Sequence, residues 1–185
     1  MDILEEQPAP VATHPANPGN SIRVEPATDP GLGRIWILTA IQTLPRPIDE
    51  VFPFFADAFN LEKLTPSFLR FHVVTPRPIA MRSGCEINYK LRVRGVPIRW
   101  KTFILDWDPP HRFVDNQERG PYALWHHTHS FTPSEDGQST ICKDTVLYRP
   151  KGWVLAPLIN KVFVQRDVKN IFEYRFKQLE SVFLQ

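Results

Sequence analysis

The residues from Tyr122 to Phe131, YALWHHTHSF, hold three of the six histidines in the chain. Side chains of an extended strand alternate between faces, so Ala123, Trp125, His127, His129 and Phe131 share one side and His126 takes the other. Trp125 and Phe131 mark the shared side as the inner one. The flanking segments alternate in the same way. Arg112 to Arg119 turns Phe113, Asp115 and Gln117 inward, and Thr140 to Arg149 turns Cys142, Asp144, Val146 and Tyr148 inward. A tight turn at Gly120-Pro121 sets Asp115 opposite His127 or His129. A longer loop from Pro133 to Gly137 brings Asp144 toward the same histidines.

Two histidines and two aspartates on an apolar face need mutual pairing or a polar ligand, because an unpaired buried polar group is costly. Three uses stay open. The groups can satisfy one another within a wall, or they can orient the polar atoms of a mostly apolar small molecule. Alternatively, a histidine tuned by a carboxylate can move a proton, which makes His127, His129, Asp115 and Asp144 the candidate catalytic residues. His127 and His129, two residues apart, could also face a metal with Asp115 or Asp144 adding oxygen, but no strong ligand motif is present. Neither a metal nor a cofactor is expected.

The elements that position these groups are mostly strands. Arg34 to Leu44 is rich in β-branched residues and reads as the first strand, ended by Pro45 and Pro47. A short helix follows with Val51, Phe54, Phe55 and Ala58 on its apolar face, made irregular by Pro53. A second helical piece, Asp57 to Leu64, stops at Thr65-Pro66, since a residue before proline avoids the helical region. Six further strands are expected: Phe68 to Thr75, Glu86 to Arg94, Ile98 to Trp107, Arg112 to Arg119, Tyr122 to Phe131 and Thr140 to Arg149. Proline and glycine turns separate them, which implies an antiparallel meander. From Trp153 to Phe183, apolar residues including Leu155, Leu158, Val162, Phe163, Val168 and Phe172 recur at three- and four-residue steps. That is an amphipathic helix, over 40 Å long at roughly 1.5 Å per residue and long enough to cross the sheet.

Composition bounds the setting. Residues 1–33 contain six of the 19 prolines, little apolar periodicity and a net charge of −4, and read as a disordered acidic tail. The net charge of +2 for the whole chain leaves +6 on residues 34–185. That is too diffuse for a dedicated nucleic-acid binder. Part of it falls on the outer side of one hairpin, where Lys90, Arg92, Arg99 and Lys101 form either a solvated face or a patch for phosphate or anionic lipid. If Gly95-Val96 is the turn, Arg92 faces Arg99 and Lys90 faces Lys101. No export signal or spanning helix is read, and Cys85 and Cys142 lack metal-ligand spacing. Reduced thiols in a cytoplasmic protein are the simplest reading.

Three runs, LPRPIDEVFPFFADAFNLEKLTP from Leu44, PPHRFVDNQERGPYALWHHTHSF from Pro109 and FVQRDVKNIFEYR from Phe163, resemble the SRPBCC or START-like superfamily. The resemblance is closest to its polyketide cyclase/dehydrase and coenzyme Q-binding branch, and it covers nearly everything after residue 33. It implies an α+β helix-grip fold: a seven-stranded curved antiparallel sheet around a long C-terminal helix, with two short helices after the first strand. It also implies a cavity between sheet and helix for a lipid, quinone, polyketide or similar molecule. By position, the helical part of that wall comprises Phe54, Phe55, Leu64, Val162, Arg166 and Phe172. The remainder comprises Phe68, Tyr89, Trp100, Thr102, Gln117, Trp125, His127 and Asp144. Arg166 is a candidate partner for an inner aspartate or a ligand carboxylate, unless Asp167 holds it outward.

The leading expectation is therefore a non-catalytic binder of a small hydrophobic molecule. A second is a cyclase, aromatase or dehydratase using a His-Asp pair in the same cavity, and a third is an interaction module using the basic outer face. No catalytic signature of the superfamily is present to transfer, and fold likeness alone does not make an enzyme.

Overall fold

Alternation of apolar and polar residues builds one sheet, described here from a computed structural model that covers residues 19–184. Its strands are β1 (Ser21–Asp29), β2 (Gly33–Leu44), β3 (His72–Val73), β4 (Glu86–Val93), β5 (Val96–Asp108), β6 (Arg112–Arg119), β7 (Tyr122–Pro133) and β8 (Thr140–Pro150). They lie in the order β1-β2-β8-β7-β6-β5-β4-β3, each pair antiparallel. Between β2 and β3 run α1 (Ile48–Ala56), a 3₁₀ turn, α2 (Leu61–Leu64) and a second 3₁₀ turn. After β8 come a 3₁₀ turn (Trp153–Leu155), α3 (Ala156–Ile159), a π-helical turn (Asn160–Val164) and α4 (Gln165–Phe183). This is the α+β helix-grip architecture, with corrections to its parts.

The sheet has eight strands, not seven, because residues 21–29 form β1 instead of belonging to a tail. They pair with β2 from Ser21 opposite Ile41 to Asp29 opposite Gly33. Ile22 and Val24 alternate with Arg23 and Glu25 and pack on the cluster that contains Trp36 and Tyr148. The turn closes through the Asp29 carboxylate, which accepts from the Gly31 and Leu32 amides. Pro26 is tolerated because β1 is an edge strand. The two short helices thus follow β2, and the rest of the expected tail, residues 1–18, lies outside the described residues.

The strand expected at Phe68 to Thr75 shrinks to His72–Val73. Ser67–Leu69 is a 3₁₀ turn that ends on Arg70 in the left-handed region at φ 44. The β4–β5 turn lies at Arg94 and Gly95, at φ 51 and 84, the paired positive values of a two-residue hairpin turn. Lys90 therefore faces Arg99, Arg92 faces Pro97, and Asn88 faces Lys101.

The long C-terminal helix runs unbroken through residues 156–183, with one wider π turn within it. α4 buries Val168, Phe172, Arg175, Leu179 and Phe183 along a single stripe. Upstream, the wider π turn takes the apolar pattern out of phase with the sheet. Leu155, Leu158, Val162 and Phe163 consequently face outward, while Asn160 is buried. One apolar cluster gathers Phe52, Phe55, Phe113, Phe131, Leu179 and Phe183 beneath α1, and a second gathers Leu38, Val146, Tyr148, Val168 and Phe172 under α4. No helix among the described residues is long and apolar enough to cross a membrane.

Candidate functional site

The register delivers the histidines to the aspartates. Asp115 on β6 lies opposite His127 on β7, and His129 lies opposite Asp144 on β8. His127 Nε2 lies 3.0 Å from Asp144 Oδ1, and His129 Nε2 lies 3.0 Å from Asp115 Oδ2. His129 Nδ1 is also 2.7 Å from Asp144 Oδ1, but out of line for a hydrogen bond. The imidazole centroids are 3.7 Å apart, and Phe113 stacks on His129 at 4.1 Å. From the helix side Arg175 completes the group, its Nη1 3.4 Å from Asp144 Oδ2.

Asp144, His127, His129 and Arg175 are buried and Asp115 is half-buried, so their charges must balance locally. Burial opposes ionisation of Asp144, yet the Arg175 and His129 charges and the contacts of both histidines outweigh it and hold the carboxyl well below its ordinary range. Asp115 is also lowered: burial is overcome by the His129 hydrogen bond and by the charges of His127, His129 and Arg175. His127 is lowered, first by burial and then by the charge of His129. His129 is raised, because the Asp144 charge and the Asp115 hydrogen bond overcome burial. These directions favour charge on both carboxylates and make His129 the readier imidazole to protonate and His127 the readier to stay neutral. His127 then donates from Nε2 to Asp144. Its Nδ1 lone pair is left 3.6 Å from Asp115 Oδ2, acceptor against acceptor, where a ligand hydroxyl could donate.

Beside the cluster stands an aromatic wall. Trp100 meets Trp125 at 5.4 Å and Tyr122 at 5.7 Å, Tyr122 meets Trp125 at 4.7 Å, and Trp125 meets Tyr148 at 6.2 Å. An irregularity between Tyr122 and Leu124 breaks the alternation of β7. Tyr122 thereby turns inward and Ala123 is exposed, the reverse of its expected place. Polar atoms around this interior that make no hydrogen bond among the described residues include His129 Nδ1 and Arg175 Nε, while the Tyr148 hydroxyl meets the Asn160 side chain.

The other expected wall residues divide. Phe55, Leu64, Tyr89, Thr102 and Phe172 are buried, and Phe54, Trp100 and Trp125 are half-buried. Thr102 is already engaged, its hydroxyl accepting from Trp100 Nε1 at 3.0 Å. Gln117 clips the β6–β7 turn, donating to the Tyr122 carbonyl and accepting from its amide. Three residues do not face the interior. Phe68, in its 3₁₀ turn, is 67% exposed; Val162, in the π turn, is 50% exposed; and Arg166 points to solvent. The partner of the inner aspartate is Arg175, and Asp167 pairs with Arg94 at 3.0 Å rather than with Arg166. Arg175 was legible in the sequence: it falls on the stripe Val168, Phe172, Leu179, an arginine where the helix should be apolar.

Asp115, His127 and His129 offer ligand atoms within 4.8 Å of one another, so a metal could be held there. It would have to displace the His129 proton and sit in a group whose carboxylates Arg175 already helps to balance. A large concavity, of about 760 Å³, opens at the end of the sheet, lined by Lys90, Arg92, Pro97 and Arg99 together with Leu91 and Ile98 of the opposite face.

Sheet order and helix placement define a helix-grip fold. Solved structures agree. A protein of Thermus thermophilus is 22% identical over 80% of this chain and 97% of its own, with a TM-score of 0.59. A START superfamily protein from Mycobacterium smegmatis is 12% identical over 80% and 97%, with a TM-score of 0.61. The Zhui aromatase/cyclase from a Streptomyces species is 14% identical over 78% and 91%, with a TM-score of 0.62. At these identities the likeness is one of fold. No protein-family model and no curated protein sequence matches the chain.

Proposed function

We propose that residues 34–185, with β1 added at the sheet edge, form a binding domain for a small hydrophobic molecule with at least one polar atom. A lipid, a quinone or a polyketide-like compound fits that description. The molecule lies between the inner face of the sheet and the C-terminal helical segment, against Trp100, Tyr122, Trp125 and Phe172. His127, Asp144 and Arg175 orient it. The carrying observation is a cluster of five ionisable side chains, four of them buried, beside aromatic rings, with the Arg175 Nε left unpaired. Burying such groups costs stability that apolar residues would not, and a ligand that engages them offsets the cost. The unpaired thiols of Cys85 and Cys142 suit a cytoplasmic protein.

Native mass spectrometry of the purified chain should show an adduct of a few hundred daltons, diminished in Arg175→Met. A chain that carries no adduct, and whose melting temperature no fatty acid, quinone or aromatic polyketide raises, would refute the reading.

A second reading has its own observation. The neighbouring imidazoles shift in opposite directions, His129 toward the acid form and His127 toward the base form, and a pair pushed apart in this way can share acid and base roles. Cyclase- or dehydratase-type turnover would then vanish in His127→Ala while ligand binding persists. Binding without turnover of any polyketide-like compound leaves the first reading alone.

A further inference from the structure

One end of the sheet gathers the β4–β5 turn, the β6–β7 turn and the link from β8 into the C-terminal helical segment. The 760 Å³ groove lies here, lined by the cations Arg70, Lys90, Arg92, Arg99, Arg119 and Lys151, and no acidic residue lines it. The acids nearby are committed elsewhere. Glu86 and Glu118 each hold Lys101 at 2.9 Å, and Asp167 holds Arg94. Lys101, expected in the basic patch, is thus neutralised, whereas Arg70, Lys90, Arg92, Arg99 and Arg119 have no ion-pair partner among the described residues. Lys90 and Arg99 sit directly across from each other, an arrangement that costs stability unless an anion intervenes.

The same end exposes large apolar side chains. Val154 is 77% exposed, Leu158 60%, Leu155 58% and Val162 50%, and Val96 at the hairpin is 59% exposed. The helical segment and the hairpin are tied together: the Arg94 guanidinium lies 4.7 Å from the centre of the Phe163 ring. Lys151, in the groove, precedes Val154 by three residues and anchors on the Gly120 carbonyl. Cations alone would suit any polyanion. Cations bordered by protruding aliphatic side chains suit a surface that offers anionic groups above an apolar layer.

We infer that this end of the molecule docks on the surface of an anionic lipid bilayer, the groove taking headgroup phosphates and the residues from Val154 to Phe163 entering the interfacial layer. This assignment stands independently of what the interior binds. It uses residues at this end of the sheet and at the helix start, none of them in the His-Asp cluster.

Sedimentation of the full chain with vesicles tests it. Vesicles of phosphatidylcholine with 30% phosphatidylglycerol should bind the protein, and vesicles of pure phosphatidylcholine should not. Each cation near such a surface is worth about fivefold in affinity, so Arg92→Ala/Arg99→Ala should weaken binding about 25-fold. Val154→Ser/Leu158→Ser should weaken it several-fold with the charges intact. Both pairs are at the surface and should melt with the parent; if either does not, Lys90→Gln and Leu155→Ser replace them. Equal binding to both vesicle types would overturn the inference. So would insensitivity to the apolar pair, since an anion groove without a bilayer then remains. Saturable capture of inorganic phosphate or of an RNA oligonucleotide, with no vesicle binding, would assign the groove to a different ligand.

Discussion

Arg175 carries the strongest energetic test of the buried cluster. It is 6% exposed, its Nη1 lies 3.4 Å from Asp144 Oδ2, and its guanidinium lies 5.5 Å from the Phe55 ring centre and 5.7 Å from that of Phe172. Arg175→Met keeps most of the volume and removes the charge. Breaking a buried pair by deleting one partner costs about 3–5 kcal/mol, and the long contact points to the lower end. For a domain of this size about 3 kcal/mol corresponds to a fall in melting temperature of roughly 6–12 °C. The pH dependence fixes the cause. Asp144 has a depressed folded-state pKa, so its contribution is present above the ordinary value of 3.8 and is lost as pH falls through the folded value. Without Arg175, the largest influence favouring the charged form, Asp144 takes up its proton at higher pH. The gap between parent and variant should therefore be widest near neutrality and narrow as pH falls from 7.5 toward 4.5 in circular-dichroism melts. A fall of less than about 2 °C at neutral pH, or a gap that widens in acid, would refute the balance of charges described here.

Other outcomes follow from the same geometry. His129 has a raised folded-state pKa, so its stabilising share is complete below the ordinary 6.5 and is lost as pH rises through the folded value; His129→Gln should flatten that alkaline decline in thermal melts. Phe172→Ala removes a buried ring beside His127, at 5.9 Å, and should cost about 3–5 kcal/mol in urea unfolding. A Cβ at Gly120 would collide with the Gln117 side-chain amide, so Gly120→Ala should dislodge the side chain that clips Tyr122 and cost about 1–2 kcal/mol by the same measurement.

The parts of the site legible in the sequence were those written in a period of two. Once His127 and His129 share a face with Trp125, the tight turn before β7 and the loop after it leave Asp115 and Asp144 few other places to go, and the register agrees. Arg175 is equally legible from the helical stripe, but Arg166 stands beside Asp167, a pairing the sequence suggests and the Arg94 hairpin pre-empts. β1 was hidden because Pro26 and the acidic residues dilute the alternation of Ile22 and Val24, and because an edge strand needs only one partner. The outward turn of Leu158 and Val162 had no local sign at all. A wider helical turn leaves apolar spacing nearly unchanged while rotating what lies on its far side.

That wider turn sets a phase between two halves of the rod. An ordinary helix advances about 100° per residue, and π turns accommodate a single extra residue. Because the wider turn already absorbs that extra residue, excising one position between Asn160 and Val164 would restore a regular helix and leave the segment from Trp153 to Ile159 close to its present azimuth relative to α4. The stripe that meets Asp144 would keep its seat, and the aliphatic side chains upstream would still be presented outward. A chain shortened by that one residue isolates what the local widening itself contributes, with both halves of the rod left in place.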